Sequence, residues 1–333
     1  MDTATVMIID DQLENIDLIK TLFINDPYHL ISATSGKEAI SIINETLPDI
    51  ILLDIIMPGM DGFELCRILK KEYETRFIPI IMVTGMHDHK SKLKAIEIGA
   101  DDFITKPIDI FELKARVASL LRIKEYTDQL QSAEKIIFNI ALSLETKDPS
   151  TKGRCTRLAN YGSLLAEKLG LDESQIRAVR KGGVLHDIGK LTIRDNILLK
   201  PGPLSTDEFS IIKTHPGAGE YICKPLKTLE DVLPVIRSHQ ERYDGSGYPD
   251  GLKGNEIPVT AQIIAISECY DALRTDRPYR KALTSQEAID LLNQETAQGK
   301  WDPELVSEFK DLLMQPDLQE KLDRDVHEIS YFN

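Results

Sequence analysis

The sequence predicts two domains of different fold class: an α/β domain with a doubly wound parallel sheet, and an all-α domain reached through a long helix. Three observations support this prediction. Short apolar runs alternate with helical segments of roughly 10–14 residues as far as residue 124. The stretch from Ile110 to Thr146 contains no proline or glycine, and strand signals fade from Ser132 onward. We therefore expect domains at residues 2–122 and 135–333, with a helical linker at 123–145.

Composition limits the class of protein. With 333 residues, 42% apolar and 28% charged, the chain has the make-up of a soluble two-domain protein. Its apolar runs are too short to span a membrane, and no basic signal segment begins it, so we expect a cytoplasmic location. The net charge of -14 argues against DNA binding. The four cysteines form no CxxC pair, which argues against disulfides or a zinc ribbon.

Polar residues follow the predicted strands "VMIID", "HLISA", "DIILLD", "PIIMVTG" and "DDFITKP". The carboxyl ends of parallel strands form the functional edge of such a sheet. Crowded carboxylates favour a hard cation such as Mg²⁺, beside which a carboxylate can act as a nucleophile. A lone acid at a strand end is more often a helix cap. Here the edge is predicted to hold Asp10, Asp11, Asp54, Thr84 and Lys106.

From Val6 to Leu121 these residues resemble the receiver domain of bacterial two-component response regulators, a flavodoxin-like fold. The resemblance implies that Asp54, in "LLDIIMPGMDG", accepts a phosphoryl group from a sensor histidine kinase or a phosphotransfer protein. It also implies a cis peptide before Pro107. The other implied roles are Mg²⁺ binding by Asp10, Asp11, Asp54 and the carbonyl of Ile56, phosphoryl binding by Thr84 and Lys106, and an aromatic switch at Phe103.

The linker carries an apolar stripe in which steps of three and four residues alternate. A period of 3.5 residues is typical of a coiled coil or a helix pair. The stripe therefore predicts a homodimer, and the alternative is that it packs on the chain's own second domain. The stripe consists of Ile123, Tyr126, Leu130, Ala133, Ile137, Ile140 and Leu144.

The second domain begins with "GVLHDIGK", in which a histidine and an aspartate interrupt an apolar helix. Burying such a pair without partners is costly, so it suggests a metal site, although most isolated His-Asp pairs cap helices or lie on the surface. Further downstream come "IIKTHPGAGEYI", "IRSHQERYDGSGYPDGLKGNEIP", "AISECYDALRTDRPYR" and "KWDPELV".

These motifs, in this order from about Asn139 to Phe309, resemble the HD-GYP family, a branch of HD-domain metal phosphohydrolases that act on cyclic di-GMP. The resemblance implies metal ligands, a lysine near the scissile phosphate and basic residues that contact the dinucleotide. Asp187 and Lys190 would be the catalytic residues. The implied positions are His186, Asp187, His215 and His239 for metal, and Lys190, Gly247, Tyr248, Pro249, Arg277 and Arg280 for substrate.

The chain departs from the family at several ligand positions. Arg154 and Gln240 stand where the family has histidines, and Glu268 stands where it has an aspartate. A guanidinium does not coordinate metal, and an amide is a weak ligand. Ser150 replaces the acid of a third ion, so we expect no third ion. The remaining ligands divide into His186, Asp187 and Glu268 for one ion and Asp187, His215 and His239 for the other, while Arg154 could replace an ion's charge and bind phosphate.

Two functions follow. The favoured one is a phosphorylation-controlled hydrolase that opens cyclic di-GMP to pGpG or GMP with one or two transition-metal ions, Fe or Mn. A binuclear site can acidify water and hold the attacking and phosphoryl oxygens together. The alternative is a catalytically weakened module that binds the nucleotide or a partner protein. The altered ligand positions favour the alternative, whereas the intact "HDIGK" and GYP motifs favour the enzyme.

Overall fold

The computed structural model describes residues 3–72, 74–85, 94–145, 153–276 and 280–315. The chain divides into two compact units, Met1–Gln131 and Ser132–Asn333. The first unit contains a parallel β-sheet flanked by helices, and the second is built from helices. The predicted fold classes, α/β followed by all-α, are therefore confirmed. The domain limits 2–122 and 135–333 and the linker limits 123–145 stay predictions.

The sheet of the first unit has the strand order β2-β1-β3-β4-β5, and all neighbouring strands are parallel. Successive residues of β1 enter two different apolar clusters, Met7 one and Ile8 the other, because they point to opposite faces. Since the chain leaves β1 for strands on either side of it, a crevice forms at the carboxyl edge. The strands are β1 (Ala4–Ile9), β2 (Tyr28–Ala33), β3 (Ile50–Asp54), β4 (Ile80–Thr84) and β5 (Asp102–Thr105).

The helices of this unit begin soon after the strands. Two of them start at side-chain caps: Ser35 accepts a hydrogen bond from the N–H of Glu38, and Asp61 accepts one from the N–H of Glu64. The acidic strand ends therefore remain in short loops along the carboxyl edge. The helices that precede β4 are α1 (Leu13–Leu22), α2 (Gly36–Glu45) and α3 (Gly62–Lys71).

A helix of 36 residues, α4 (Ile110–Glu145), contains the predicted apolar stripe. Near its C-terminal end Phe138 and Ala141 are buried in an apolar cluster of the second unit, and Ile137 packs against that cluster. Earlier in the helix, Tyr126 is 58% exposed and Leu130 is 50% exposed. Within the stripe, Ile137 therefore packs on the chain's own second unit, whereas Ile140, which is 38% exposed, and the N-terminal residues Tyr126 and Leu130 remain on the surface.

The second unit is organised around the buried helix α11, which packs against α5 and α6. None of the helices in the described ranges is long and apolar enough to cross a lipid bilayer. The described residues of this unit also form short 3₁₀ helices at Ile188–Thr192, Lys227–Val232 and Gly254–Glu256. The α-helices are α5 (Arg154–Lys168), α6 (Glu173–Leu185), α7 (Asp195–Leu198), α8 (Thr206–Ile212), α9 (His215–Cys223), α10 (Leu233–Ser238), α11 (Val259–Arg274), α12 (Ser285–Ala297) and α13 (Pro303–Leu313).

Candidate functional site

A cluster of charged side chains lies at the carboxyl edge of the sheet. Lys106 Nζ is 2.6 Å from Asp54 Oδ1 and 2.9 Å from Asp10 Oδ2. The backbone N–H of Ile56 donates to Asp54 Oδ2 at 2.8 Å. Asn15 Nδ2 lies 2.9 Å from each oxygen of Asp10, a contact that the sequence did not predict. The parallel topology thus brings together Asp10, Asp54 and Lys106, which come from distant parts of the chain.

Burial and charge act in opposite directions on this cluster. Burial raises the pKa of Asp54, although Lys106 and the N–H of Ile56 oppose this effect. Partial burial alone would lower the pKa of Lys106, but its hydrogen bonds to the two carboxylates raise it. Lys106 therefore remains charged at neutral pH, within reach of any oxygen added to Asp54.

The other residues expected at this edge differ in exposure. Thr84 is buried at the end of β4, and its carbonyl accepts a hydrogen bond of 2.7 Å from the N–H of Lys106. Phe103 is half-buried in β5, whereas Asp11 and Ile56 are exposed. The Lys106–Pro107 peptide is cis, as the resemblance implied. The structure thus brings the expected residues to one edge, with two of them open to solvent.

The second unit brings together five potential metal ligands from separate elements. His186 follows the last residue of α6 and Asp187 comes next, His215 begins α9, His239 follows α10, and Glu268 lies within α11. All three histidines are at most 1% exposed. The expected ligands therefore meet in one buried centre.

Gly189 permits the close packing that this centre requires. A Cβ atom at Gly189 would lie 1.9 Å from the carbonyl oxygen of His215 and 2.5 Å from the nitrogen of Gly219. The 3₁₀ helix at Ile188–Thr192 therefore packs directly on the backbone of α9. This contact places the histidine-aspartate pair beside His215.

Each of the three histidines directs the same ring nitrogen toward the centre. The Nδ1 atoms of His186, His215 and His239 lie 3.0, 2.8 and 2.8 Å from the carbonyl oxygen three residues earlier. A carbonyl only accepts, so Nδ1 carries the proton and Nε2 presents a lone pair. Burial lowers the pKa of His215 and lowers that of His239 to about 3, so both rings are neutral. Their Nε2 atoms are 3.1 Å apart, an arrangement that a bound cation would stabilise.

Asp187 lies between the histidines. Its Oδ1 is 3.4 Å from His215 Nε2, and its Oδ2 is 2.6 Å from Lys190 Nζ. Burial opposes ionisation, but Lys190 and His186 hold the pKa of Asp187 well below its usual value. Asp187 Oδ1 and His186 Nε2 are buried without a hydrogen-bond partner among the described residues. Potential ligand atoms within 4.8 Å of one another form two groups, Asp187–His215–His239 and His186–Asp187–Glu268.

The side chains at both substituted positions, Arg154 and Gln240, contact Glu268. Arg154 Nη2 forms a short ion pair with Glu268 Oε1, and Gln240 Nε2 donates to Glu268 Oε2 at 3.1 Å. The Tyr248 hydroxyl donates to Gln240 Oε1 at 3.2 Å. Despite burial, Arg154 holds the pKa of Glu268 at about 2. The sequence marked Arg154 and Gln240 as departures from the family, but it did not predict that they bind Glu268.

An open cleft of about 440 Å³ adjoins this centre. Arg154, Lys190, Arg242 and Arg280 all line it, and four cations around one cleft favour an anionic ligand. Arg280 also donates to a backbone carbonyl at 2.6 Å. Arg242 was not among the expected substrate residues, although it lies within the HQER motif. Arg277, a predicted substrate contact, and Ser150, which replaces the acid of a third ion, lie outside the described residues.

The GYP turn is held by Glu241, a residue whose role the sequence did not predict. The buried carboxylate of Glu241 accepts hydrogen bonds of 2.8–3.1 Å from the N–H groups of residues 250–252. A Cβ atom at Gly247 would lie 2.4 Å from the nitrogen of Arg242, so the turn packs directly on the segment after His239. The Tyr248–Pro249 peptide is cis. These contacts place Tyr248 beside the centre.

Comparison with protein-family models assigns both units. Residues 6–118 match the response regulator receiver domain, and residues 140–305 match the HD domain. Both matches fall inside the limits expected from the sequence.

Three curated proteins are similar along most of the chain. The cyclic di-GMP phosphodiesterase response regulator RpfG of Xanthomonas campestris is 34% identical over 86% of this chain and 82% of its own. A probable cyclic di-GMP phosphodiesterase of Vibrio cholerae is 32% identical, covering 93% and 78%. A cyclic di-GMP phosphodiesterase of Thermotoga maritima is 30% identical, covering 92% and 89%.

Proposed function

This chain belongs to the family of response regulators that combine a receiver domain with an HD domain. Because two of its relatives are named as a cyclic di-GMP phosphodiesterase and a probable cyclic di-GMP phosphodiesterase, we propose that it hydrolyses cyclic di-GMP under the control of receiver phosphorylation. One observation carries the proposal: three buried histidines direct their Nε2 atoms toward Asp187, beside Lys190. This donor set fits a transition-metal ion.

The proposed mechanism assigns a role to each group. His215, His239 and Asp187 would hold an Fe or Mn ion. When bound, such an ion would supply positive charge that stabilises a phosphoryl oxygen, and it would lower the pKa of a water molecule. Lys190 offsets negative charge that develops on the phosphate. A water oxygen bonds to phosphorus, the bond from phosphorus to a ribose oxygen breaks, and that oxygen takes up a proton. The product is linear pGpG, and a second hydrolysis gives GMP.

The cationic cleft supports an anionic substrate. Arg154, Arg242 and Arg280 lie where they would contact the phosphates, and the Tyr248 side chain adjoins the same centre. Because Glu268 is already bound by Arg154 and Gln240, one ligand group is weakened. This observation favours the second candidate function, a module that binds the nucleotide and turns it over slowly or not at all.

Incubation of the metal-loaded full chain with cyclic di-GMP distinguishes the two functions. We expect pGpG or GMP to form, and we expect the reaction to stop when EDTA removes the metal and to resume when Mn²⁺ is added. Chromatography of the nucleotides measures the products, and equilibrium dialysis measures binding. Tight binding by the loaded protein with no product would rule out the hydrolase and support the binding module.

The receiver domain implies a partner that donates a phosphoryl group. We propose that Asp54 accepts it from a sensor histidine kinase or phosphotransfer protein in the cytoplasm, with Mg²⁺ held by Asp10, Asp11, Asp54 and the carbonyl of Ile56. Thr84 and Lys106 would then bind the phosphoryl oxygens, and Phe103 would act as the aromatic switch that responds to phosphorylation of Asp54. The support is geometric, since Lys106 already contacts both buried carboxylates.

We also propose that a second copy of the chain covers the exposed part of the stripe, around Tyr126 and Leu130. The double change Tyr126→Lys with Leu130→Lys should give monomers, because an unpaired buried ammonium costs more than this short surface supplies. Sedimentation velocity, with and without phosphorylation, measures the association. The pair Glu125→Lys with Gln129→Lys is a control on exposed positions of α4 outside the stripe. A wild-type monomer under both conditions would exclude this surface.

A further inference from the structure

We infer that the guanidinium of Arg154 occupies the place of one metal ion, so that the centre binds a single ion at Asp187, His215 and His239. This inference rests on the metal-dependent chemistry proposed above, but the number of bound ions can be measured without turnover. The two ligand groups differ in whether their donor atoms are already engaged by the protein.

The group formed by Asp187, His215 and His239 is available to an ion. Both imidazoles use Nδ1 for a backbone carbonyl, which leaves Nε2 directed inward. Asp187 Oδ1 is buried without a hydrogen-bond partner among the described residues. Each of these three atoms has a free lone pair, and such buried acceptors are stabilised when a cation joins them.

In the group formed by His186, Asp187 and Glu268, the carboxylate of Glu268 is already bound by other side chains. Glu268 Oε1 is paired with Arg154, and Glu268 Oε2 accepts a hydrogen bond from Gln240. The Glu268 side chain is 14% exposed and that of Arg154 is 13% exposed, so water can replace these contacts only in part. An ion at this group would have to break the pairing of Glu268 or bind without it.

Charge also disfavours a second ion. Asp187 and Glu268 carry two negative charges, and Lys190 and Arg154 already carry two positive charges beside them. A guanidinium does not lose its proton in a protein, so Arg154 would repel a divalent ion bound at Glu268. At the position where the family has a histidine that can bind metal, this chain thus has Arg154, which is permanently positively charged.

The backbone holds Arg154 in this position. Arg154 begins α5, and its N–H and that of Cys155 both donate to the carboxylate of Glu145. The backbone of Arg154 is fixed and its side chain is paired. If the ion pair with Glu268 broke, both charges would remain buried without a partner, which is costly. The cation is therefore a built-in part of the centre.

The number of bound ions tests the inference. The full chain and its variants are loaded with excess Mn²⁺ and freed of unbound metal in a buffer that contains Mg²⁺, which fills the proposed receiver site, and the Mn²⁺ ions bound per chain are counted by native mass spectrometry. Electron paramagnetic resonance distinguishes an isolated Mn²⁺ from a magnetically coupled pair. We expect one ion in the wild type and two in the double variant Arg154→His with Gln240→His. Gln240→His alone should stay at one ion, because Arg154 remains, and Arg177→His is a control for adding an exposed histidine.

The possible outcomes separate this inference from the proposed function. Two ions in the wild type would overturn the inference and leave metal-dependent hydrolysis intact. No ion in the wild type would overturn both. A double variant that unfolds cooperatively with heat yet holds one ion would also overturn the inference. If the double variant does not fold, Arg154→Met removes the charge at similar length, and a rise above one ion per chain is then the expected result.

Discussion

Replacing Asp187 with asparagine should lower cyclic di-GMP hydrolysis by more than about 100-fold, because changes to residues that merely support a ligand already cost 10–100-fold. Asp187 belongs to both ligand groups and contacts Lys190 at 2.6 Å. Asparagine keeps the shape of the side chain and one carbonyl oxygen, but it removes the negative charge. Metal retention should therefore fall together with turnover.

Three measurements separate this effect from unfolding. Metal content and initial rates are compared with those of Asp290→Asn, which alters an exposed aspartate in the same unit. Thermal unfolding shows whether the variant remains folded. Binding of the nucleotide should persist, since the arginines that line the cleft are unchanged. A folded Asp187→Asn protein that keeps its metal and turns over at the wild-type rate would show that Asp187 has no role in the reaction.

Asp54→Asn should abolish labelling of the receiver domain by a small-molecule phosphoryl donor in the presence of Mg²⁺. Asp54 is buried and has the Lys106 ammonium 2.6 Å away, where it can bind an oxygen of an attached phosphoryl group. An asparagine side chain offers no carboxylate nucleophile. The expected effect is a complete loss of the acid-stable, alkali-labile signal of an acyl phosphate.

The matched control for this experiment is Asp61→Asn. Asp61 lies near the same edge, but it caps α3, and asparagine caps a helix equally well. This variant should be labelled like the wild type. Equal labelling of Asp54→Asn and the wild type would mean that another residue accepts the phosphoryl group.

Much of the receiver cluster could be predicted from the sequence because its geometry follows from topology. Continuous apolar runs predict strands covered on both faces, and their carboxyl ends must share one edge. Asp10, Asp54 and Lys106 each follow such a run, so their meeting required no knowledge of side-chain packing. The contact from Asn15 was missed, since several polar residues of α1 could have reached this edge.

In the second unit, the sequence by itself determined which residues are potential ligands. The resemblance of its motifs to the HD-GYP family predicted both ligand groups, and the described structure contains both. Glu241 was missed because its partners are backbone N–H groups. Such groups do not depend on which amino acids stand at residues 250–252, so the sequence does not reveal them as partners. The similar role of Glu145 at the start of α5 was missed for the same reason.

Only the tertiary structure decided which charges are paired. Arg154 pairs with Glu268 and Arg157 with Asp271, in each case across 114 positions of sequence, while Lys190 pairs with Asp187 three positions away. By charge alone, each of these three basic side chains could form an ion pair with any of the three acids. The choice depends on which side chains reach one another when α5 packs against α11. Helix packing therefore converts Arg154 from a missing ligand into the partner of Glu268.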